Sequence, residues 1–151
     1  LIDAYIQSSQ NEKAISYLNT AIAQKPSDSQ LYHALGIVYE TGIKDYAKAE
    51  ETFKKALEVN PESVESMSAL GRIYYNQAVN KQGEANMIND SKKYQEELTI
   101  AKDLFKQALP YFQKAHEMKP SESEYMVALR GIYYNLNMGP ELEAIEAEMN
   151  K

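Results

Sequence analysis

The sequence predicts an all-α fold made of antiparallel helix pairs stacked side by side. Three observations predict it: one motif recurs along the chain, a second motif follows it at constant spacing, and a proline ends each copy of the second. The chain has 151 residues, of which 44% are hydrophobic and 25% charged, proportions typical of globular domains. The absence of cysteine and a formal net charge of -6 argue against a disulfide scaffold, thiol catalysis and nucleic-acid binding.

The first motif places a bulky residue, a leucine, a small residue and a tyrosine at helical spacing. Its copies are Tyr32-x-x-Leu35-Gly36-x-x-Tyr39, Met67-x-x-Leu70-Gly71-x-x-Tyr74 and Met126-x-x-Leu129-Arg130-x-x-Tyr133, with Leu1-Ile2-x-x-Tyr5 as a truncated copy. Residues at such intervals lie on one face of a helix and can pack against a neighbour. We therefore expect the last tyrosine of each copy to lie in the core, namely Tyr5, Tyr39, Tyr74 and Tyr133.

The second motif alternates small and large apolar residues and ends in proline. Its copies are Ala14-x3-Leu18-x2-Ala21-x4-Pro26, Ala49-x3-Phe53-x2-Ala56-x4-Pro61 and Ala108-x3-Phe112-x2-Ala115-x4-Pro120. Small residues allow two helices to approach to about 8–10 Å. A proline just past a helix stops it without disrupting its interior.

These two motifs together resemble the tetratricopeptide repeat family, whose signature is W-x2-L-G-x2-Y, then A-x3-F, then P, with a period of 34 residues. The resemblance covers nearly the whole chain. It implies a right-handed α-α superhelix of helix-turn-helix units, each with an A helix and a B helix. The chain departs from the family pattern where Tyr32, Met67 and Met126 replace tryptophan and Arg130 replaces glycine.

The repeat frame divides the chain, as a single array over 1–151, into four parts. These are a truncated first repeat at 1–27, a second at 28–62, a third at 63–120, and a fourth with a C-terminal cap at 121–151. The predicted helices are A1 1–9, B1 11–24, A2 29–42, B2 44–59, A3 63–88, B3 91–118, A4 122–137 and B4 140–150. No capping residue precedes A1, so we expect the chain to begin within an element and further repeats to lie upstream.

The third repeat contains an insertion of about 25 residues, at about 79–104, because its leucine lies 59 positions before the next one rather than 34 or 35. Apolar residues continue at heptad spacing through the insertion into B3, at Tyr94, Leu98, Ala101, Phe105, Ala108, Phe112 and Ala115. Asn89-Asp90-Ser91 is a turn and N-cap signal. We predict an elongated helical hairpin that projects from the stack, kinked at Pro110. The alternative is a partly disordered loop, favoured by Gly83 and the polar run at 80–84.

Members of the family bind peptides or partner helices in a concave groove that the A helices line. By this resemblance the groove residues are Gln30, His33, Ile37 and Glu40 in A2, Glu65, Ser68, Arg72, Tyr75 and Asn76 in A3, Glu124, Val127, Tyr134 and Asn135 in A4, and Asp3 and Gln7 in A1. Tyr75 and Tyr134 are the strongest candidates, since we expect both to be exposed at equivalent positions. The alternative interpretation is that these residues form only the solvated face of each A helix.

The predicted function is a non-catalytic protein-interaction scaffold whose partner is another protein or peptide. The alternative is an assembly module that self-associates as a homodimer, or docks, through the hairpin of the third repeat. Only Arg72 matches the lysine and asparagine set with which some family members bind a C-terminal carboxylate, so we do not expect that specialised function. His33 and His116 lack partners at metal-ligand spacing, and no phosphate loop or nucleophile motif is present. We therefore expect no enzyme activity, cofactor, metal, nucleic acid or membrane insertion.

Two segments also resemble exported tetratricopeptide proteins of gut Bacteroides-type bacteria. They are ALPYFQKAHEMKP at 108–120 and LRGIYYNLNM at 129–138. This resemblance implies a bacterial protein and favours an exported location, in the periplasm or at the envelope, over a cytoplasmic one.

Overall fold

A computed structural model describes residues 10–151 as α-helices joined by short turns. The α-helices of this region are α1 Asn11–Gln24, α2 Ser29–Ile37, α3 Tyr46–Val59, α4 Val64–Ala85, α5 Ser91–Met118, α6 Ser123–Asn135 and α7 Gly139–Met149, and α2 continues as a π-helix over Val38–Ile43. No strand occurs in this region. The predicted all-α fold class is confirmed, and B1 to B4 correspond to α1, α3, α5 and α7. The predicted A1, with Tyr5, Asp3 and Gln7, lies outside the described residues.

The packing divides the chain into two compact units, Leu1–Met67 and Ser68–Lys151. In the first unit, α1 and α2 share a core of Ala14, Leu18, Leu35 and Val38. The ring of Phe53, on α3, is fully buried. A β-carbon built on Gly36 would lie 2.5 Å from that ring, so only glycine allows α2 and α3 to pack this closely.

Aspartate side chains cap the start of α2 and of α3. The carboxylate of Asp28 accepts a hydrogen bond from the backbone N–H of Gln30 at 3.1 Å, and Asp45 accepts one from Lys48 at 3.1 Å. Each cap satisfies a backbone N–H that has no partner within its helix. The π-helix between α2 and α3 ends at Lys44, whose backbone φ of 61° lies in the left-handed region.

In the second unit, α4 and α5 form an antiparallel hairpin. A β-carbon on Gly71 would lie 2.8 Å from the Phe112 ring, and the amine of Lys81 lies 3.2 Å from the carboxylate of Glu97. Later residues of α4 therefore contact earlier residues of α5, as in an antiparallel helix pair. Helix α4 continues to Ala85, and helix α5 begins at Ser91. The predicted elongated hairpin is therefore confirmed, and the alternative of a partly disordered loop is wrong.

The predicted heptad positions of α5 form the inner face of this hairpin. The five of them from Ala101 to Ala115 are buried, and so are Ala78 and Ala85 on α4. The carboxylate of Asp90 accepts a hydrogen bond from the backbone N–H of Lys93 at 2.9 Å, as the N-cap signal predicts. Helix α5 continues through Pro110 without a break.

The last two helices complete the second unit. Helix α6 buries Tyr125, Leu129, Ile132 and Tyr133, whereas Ile145 is the buried residue of α7. Most remaining side chains of α7 are exposed, including three of its glutamates.

Candidate functional site

The neighbouring A helices of the second unit, α4 and α6, pack side by side in the same direction. The hydroxyl of Tyr75 lies so close to Gly131 that a β-carbon there would overlap it. Further along, the side-chain amide of Gln82 donates a hydrogen bond of 2.6 Å to the amide oxygen of Asn135. Later residues of α4 therefore contact later residues of α6, so the two helices run in the same direction. Consecutive A helices of a repeat array are expected to do so.

Helix α6 carries large exposed apolar side chains beside this seam. Tyr134 is 71% exposed and Val127, two turns before it, is 47% exposed. Positions seven residues apart lie on one helix face, so the two side chains form a stripe. Val79 on α4 is 44% exposed, on the same side of α4 as Tyr75 and Gln82. Exposed apolar residues grouped in this way are typical of a contact surface.

Other predicted groove residues of the second unit differ in exposure. Asn76 and Glu124 are exposed and Arg72 is half-buried. Ser68 is buried, with 8% of its surface exposed. Asn135 is half-buried, and its amide donates to the Gly131 carbonyl oxygen at 2.8 Å, so this side chain joins the two helices.

Tyr75 differs from the expectation that it is exposed. It is half-buried, and its ring packs edge-on against Phe105 with the ring centroids 5.5 Å apart. The physical reason is Gly131, whose missing side chain leaves room for the phenol end. Tyr75 and Tyr134 are therefore equivalent in the repeat frame but not in exposure.

The predicted A2 residues lie in the first unit, where packing restricts several of them. Gln30 is exposed and Ile37 is half-buried, but Glu40 is only 8% exposed. His33 Nδ1 lies 3.2 Å from the Ser66 hydroxyl, and its ring packs on Phe53 at 5.5 Å. These contacts give His33 a packing role.

Glu65, at the start of α4, is exposed. The open part of the predicted A2 and A3 lining is consequently smaller than the repeat frame indicates, because Glu40 and Ser68 are buried. Binding at the predicted groove residues stays a prediction.

Among the described residues, the side chains with clearly shifted pKa values lie on the B helix α3 and on the hairpin of α4 and α5. The Lys55 amine donates a hydrogen bond of 2.9 Å to the Glu51 carboxylate. This bond and the positive charge of Lys55 lower the pKa of Glu51, and the same bond with the negative charge of Glu51 raises the pKa of Lys55. Hydrogen bonds to Glu84 and Glu97 raise the pKa of Lys81. These are exposed ion pairs, which contribute little to stability and supply no catalytic pair.

Two features of the surface could not be read from the sequence. A cavity of about 460 Å³ in the first unit lies among α1, α2 and α3, with Tyr32, Tyr39 and Lys48 in its wall. Met87, at the turn of the hairpin, is 87% exposed. Tertiary placement decides both, although the apolar residue in a predicted turn was an available signal for Met87.

Within residues 10–151, no three acidic or histidine side chains come together in a way that could hold a metal ion. None of the helices in the same region combines the length and apolar character needed to cross a membrane.

Residues 29–63 match the tetratricopeptide repeat family. This segment is therefore similar to one tetratricopeptide repeat unit. A segment of 82 residues, 51% of the chain, is 33% identical to Tetratricopeptide repeat protein 37 of Xenopus laevis and spans 5% of that protein. Tetratricopeptide repeats generally mediate contacts between proteins and are generally not catalytic.

Solved structures extend the likeness of fold beyond this one repeat. A monomeric mutant of IFIT1 with Gppp-AAAA has a TM-score of 0.71 at 21% identity, over 96% of this chain and 30% of that chain. A second IFIT1 structure, with m7Gppp-AAAA, gives the same values. MamA AMB-1 is 23% identical over 97% of this chain and 85% of that chain, with a TM-score of 0.39. The IFIT1 likeness shows a shared helical-repeat fold.

Proposed function

We propose that the protein is a non-catalytic interaction scaffold that binds a peptide segment or a partner helix on the exposed faces of its A helices. The observation that carries this proposal is the stripe of Val127 and Tyr134 on α6, beside the seam with α4. An aromatic ring left 71% exposed offers a large apolar contact at low cost in side-chain entropy. The general role of tetratricopeptide repeats in protein contacts supports the same function.

Peptides selected from a displayed random library on the immobilised protein test this proposal. Each selected peptide is labelled and its Kd is measured by fluorescence anisotropy. The double variant Val127→Ser/Tyr134→Ala should weaken binding about tenfold or more, because truncating an aromatic side chain that is a binding hot spot costs about 2 kcal/mol or more. Neither side chain is buried in the core, so the variant should fold as the parent does.

The matched control is Tyr46→Ala, which removes an exposed tyrosine from the B helix α3. It should leave every Kd unchanged. An equal loss of peptide affinity in the control and in the double variant, or no loss of affinity in either, would contradict the assignment of the A-helix face as the binding surface.

A second candidate function is self-association through the hairpin of the third repeat. Met87 at its turn is 87% exposed and Ile100 on α5 is 43% exposed, so the hairpin presents apolar surface to solvent. Light scattering tests this candidate without any partner. A dimer that Met87→Asp/Ile100→Asp converts to a monomer would support it, and a monomeric parent protein would reject it.

The exported location is also part of the proposal. It rests on the resemblance of 108–120 and 129–138 to exported repeat proteins. Fractionation of the host cell with an antibody against the chain tests it, and recovery in the cytoplasmic fraction alone would contradict it.

A further inference from the structure

The seam between α4 and α6 contains a glycine where the repeat frame expects a groove-lining side chain. Gly131 follows Leu129 by two positions, as Arg72 follows Leu70 in the preceding repeat. A β-carbon on Gly131 would overlap the Tyr75 hydroxyl and lie 3.2 Å from two ring carbons. The hydroxyl therefore occupies the place of a lining side chain.

The Tyr75 hydroxyl has no hydrogen-bond partner among residues 10–151, whereas the side-chain amides of Gln82 and Asn135 are paired. The Gly131 carbonyl accepts from the Asn135 amide at 2.8 Å, and the Asn135 oxygen accepts from Gln82 at 2.6 Å. The hydroxyl is also not one of the unpaired atoms that are sealed from solvent in this region. The seam thus contains one hydroxyl donor that is unpaired among the described residues and is not sealed from solvent.

Packing holds this donor in a fixed position. The ring of Tyr75 lies edge-on to the fully buried Phe105, and its far end rests against Gly131. A hydroxyl fixed before binding loses little entropy when it donates a hydrogen bond to a ligand. It lies on the same seam as the exposed stripe of Val127 and Tyr134.

We propose that the Tyr75 hydroxyl donates a hydrogen bond to a main-chain carbonyl oxygen of the peptide bound beside Val127 and Tyr134. This inference rests on the proposed function and adds a specificity element to it. The stripe holds apolar side chains of the peptide, whereas the hydroxyl fixes the register of the peptide backbone. Gly131 is a positioning residue, since any side chain there displaces the hydroxyl.

The test uses the full chain, a library-selected peptide and Tyr75→Phe, which deletes only the hydroxyl. Because the hydroxyl has no internal partner, the melting temperature should not fall, while Kd should rise about three- to tenfold. Peptides with one carbonyl at a time replaced by thiocarbonyl, a weaker acceptor, should locate the partner. At one position the two changes should be non-additive. Additive losses at every position, or an unchanged Kd, overturn the inference.

Gly131→Ala separates binding from folding. It should weaken binding and lower stability, and adding Tyr75→Phe should restore part of the stability without restoring binding. Recovery of both stability and binding in this double variant would show that the contact of Tyr75 with Gly131 has only a structural role, and would overturn the inference. Loss of binding in Val127→Ser/Tyr134→Ala with none in Tyr75→Phe leaves the proposed function standing and rejects the donor role. A parent chain that selects no peptide rejects both.

Discussion

Replacing Gly71 by alanine tests how the helices of the third repeat pack. The new β-carbon would lie 2.8 Å, 2.9 Å and 3.1 Å from three ring carbons of Phe112, which is only 3% exposed. A buried ring surrounded by other core side chains cannot move freely, so α4 and α5 must separate. Overpacking of this kind typically costs about 1–3 kcal/mol.

Helix propensity acts in the opposite direction and must be separated from the packing cost. Alanine is favoured over glycine inside a helix by about 0.8–1.0 kcal/mol. Gly83 lies on the same helix and has no atom within 4 Å of its built β-carbon, so Gly83→Ala isolates the propensity gain. We expect Gly83→Ala to raise the free energy of unfolding by about 0.5–1 kcal/mol, and Gly71→Ala to lower it by about 1–2 kcal/mol.

Urea unfolding followed by circular dichroism measures both variants. A gap of about 1.5–3 kcal/mol between their free energies of unfolding is the packing cost of the β-carbon. Gly71→Leu should be worse still and should broaden the transition, since repeat arrays couple mainly through neighbours. Equal stabilisation by the two alanine substitutions would refute the close contact of Gly71 with Phe112.

Three further predictions concern the rest of the structure. Phe53→Ala should lower the free energy of unfolding by about 3–5 kcal/mol, because the fully buried ring leaves a cavity; urea titration measures it. Asp90→Ala should cost about 1 kcal/mol by removing the N-cap of α5, which thermal melts detect. In Lys55→Met the pKa of Glu51 should return toward 4.5 in an NMR titration. In the parent, the Glu51 contribution to stability is present above pH 4.5 and falls as the pH drops through the lowered pKa.

Much of the fold follows from local sequence signals. The apolar heptad of α5 predicted a continuous helix through the insertion, and the structure has one from Ser91 to Met118. The N-cap at Asp90 was also readable, because a short side-chain acceptor at a helix start acts within one turn. Such signals depend on neighbours in the chain, so a single sequence contains them.

The details of the candidate site depend on contacts that are distant in sequence. Tyr75 is half-buried because Gly131, 56 positions later, leaves space for its hydroxyl. Glu40 and Ser68 are buried although their repeat positions suggested an open lining. The π-helix over Val38–Ile43 is likewise not signalled by any local motif. Repeat position predicts which face of its helix a residue is on, but not how deeply tertiary packing buries it.

Amide NMR with a library-selected peptide tests most directly the claim that the A-helix face of the second unit is the binding surface. Chemical-shift changes should concentrate on α4 and α6, around Val127, Gly131 and Tyr134. Changes confined to α7 or to the hairpin turn at Met87, with α6 unaffected, would contradict it.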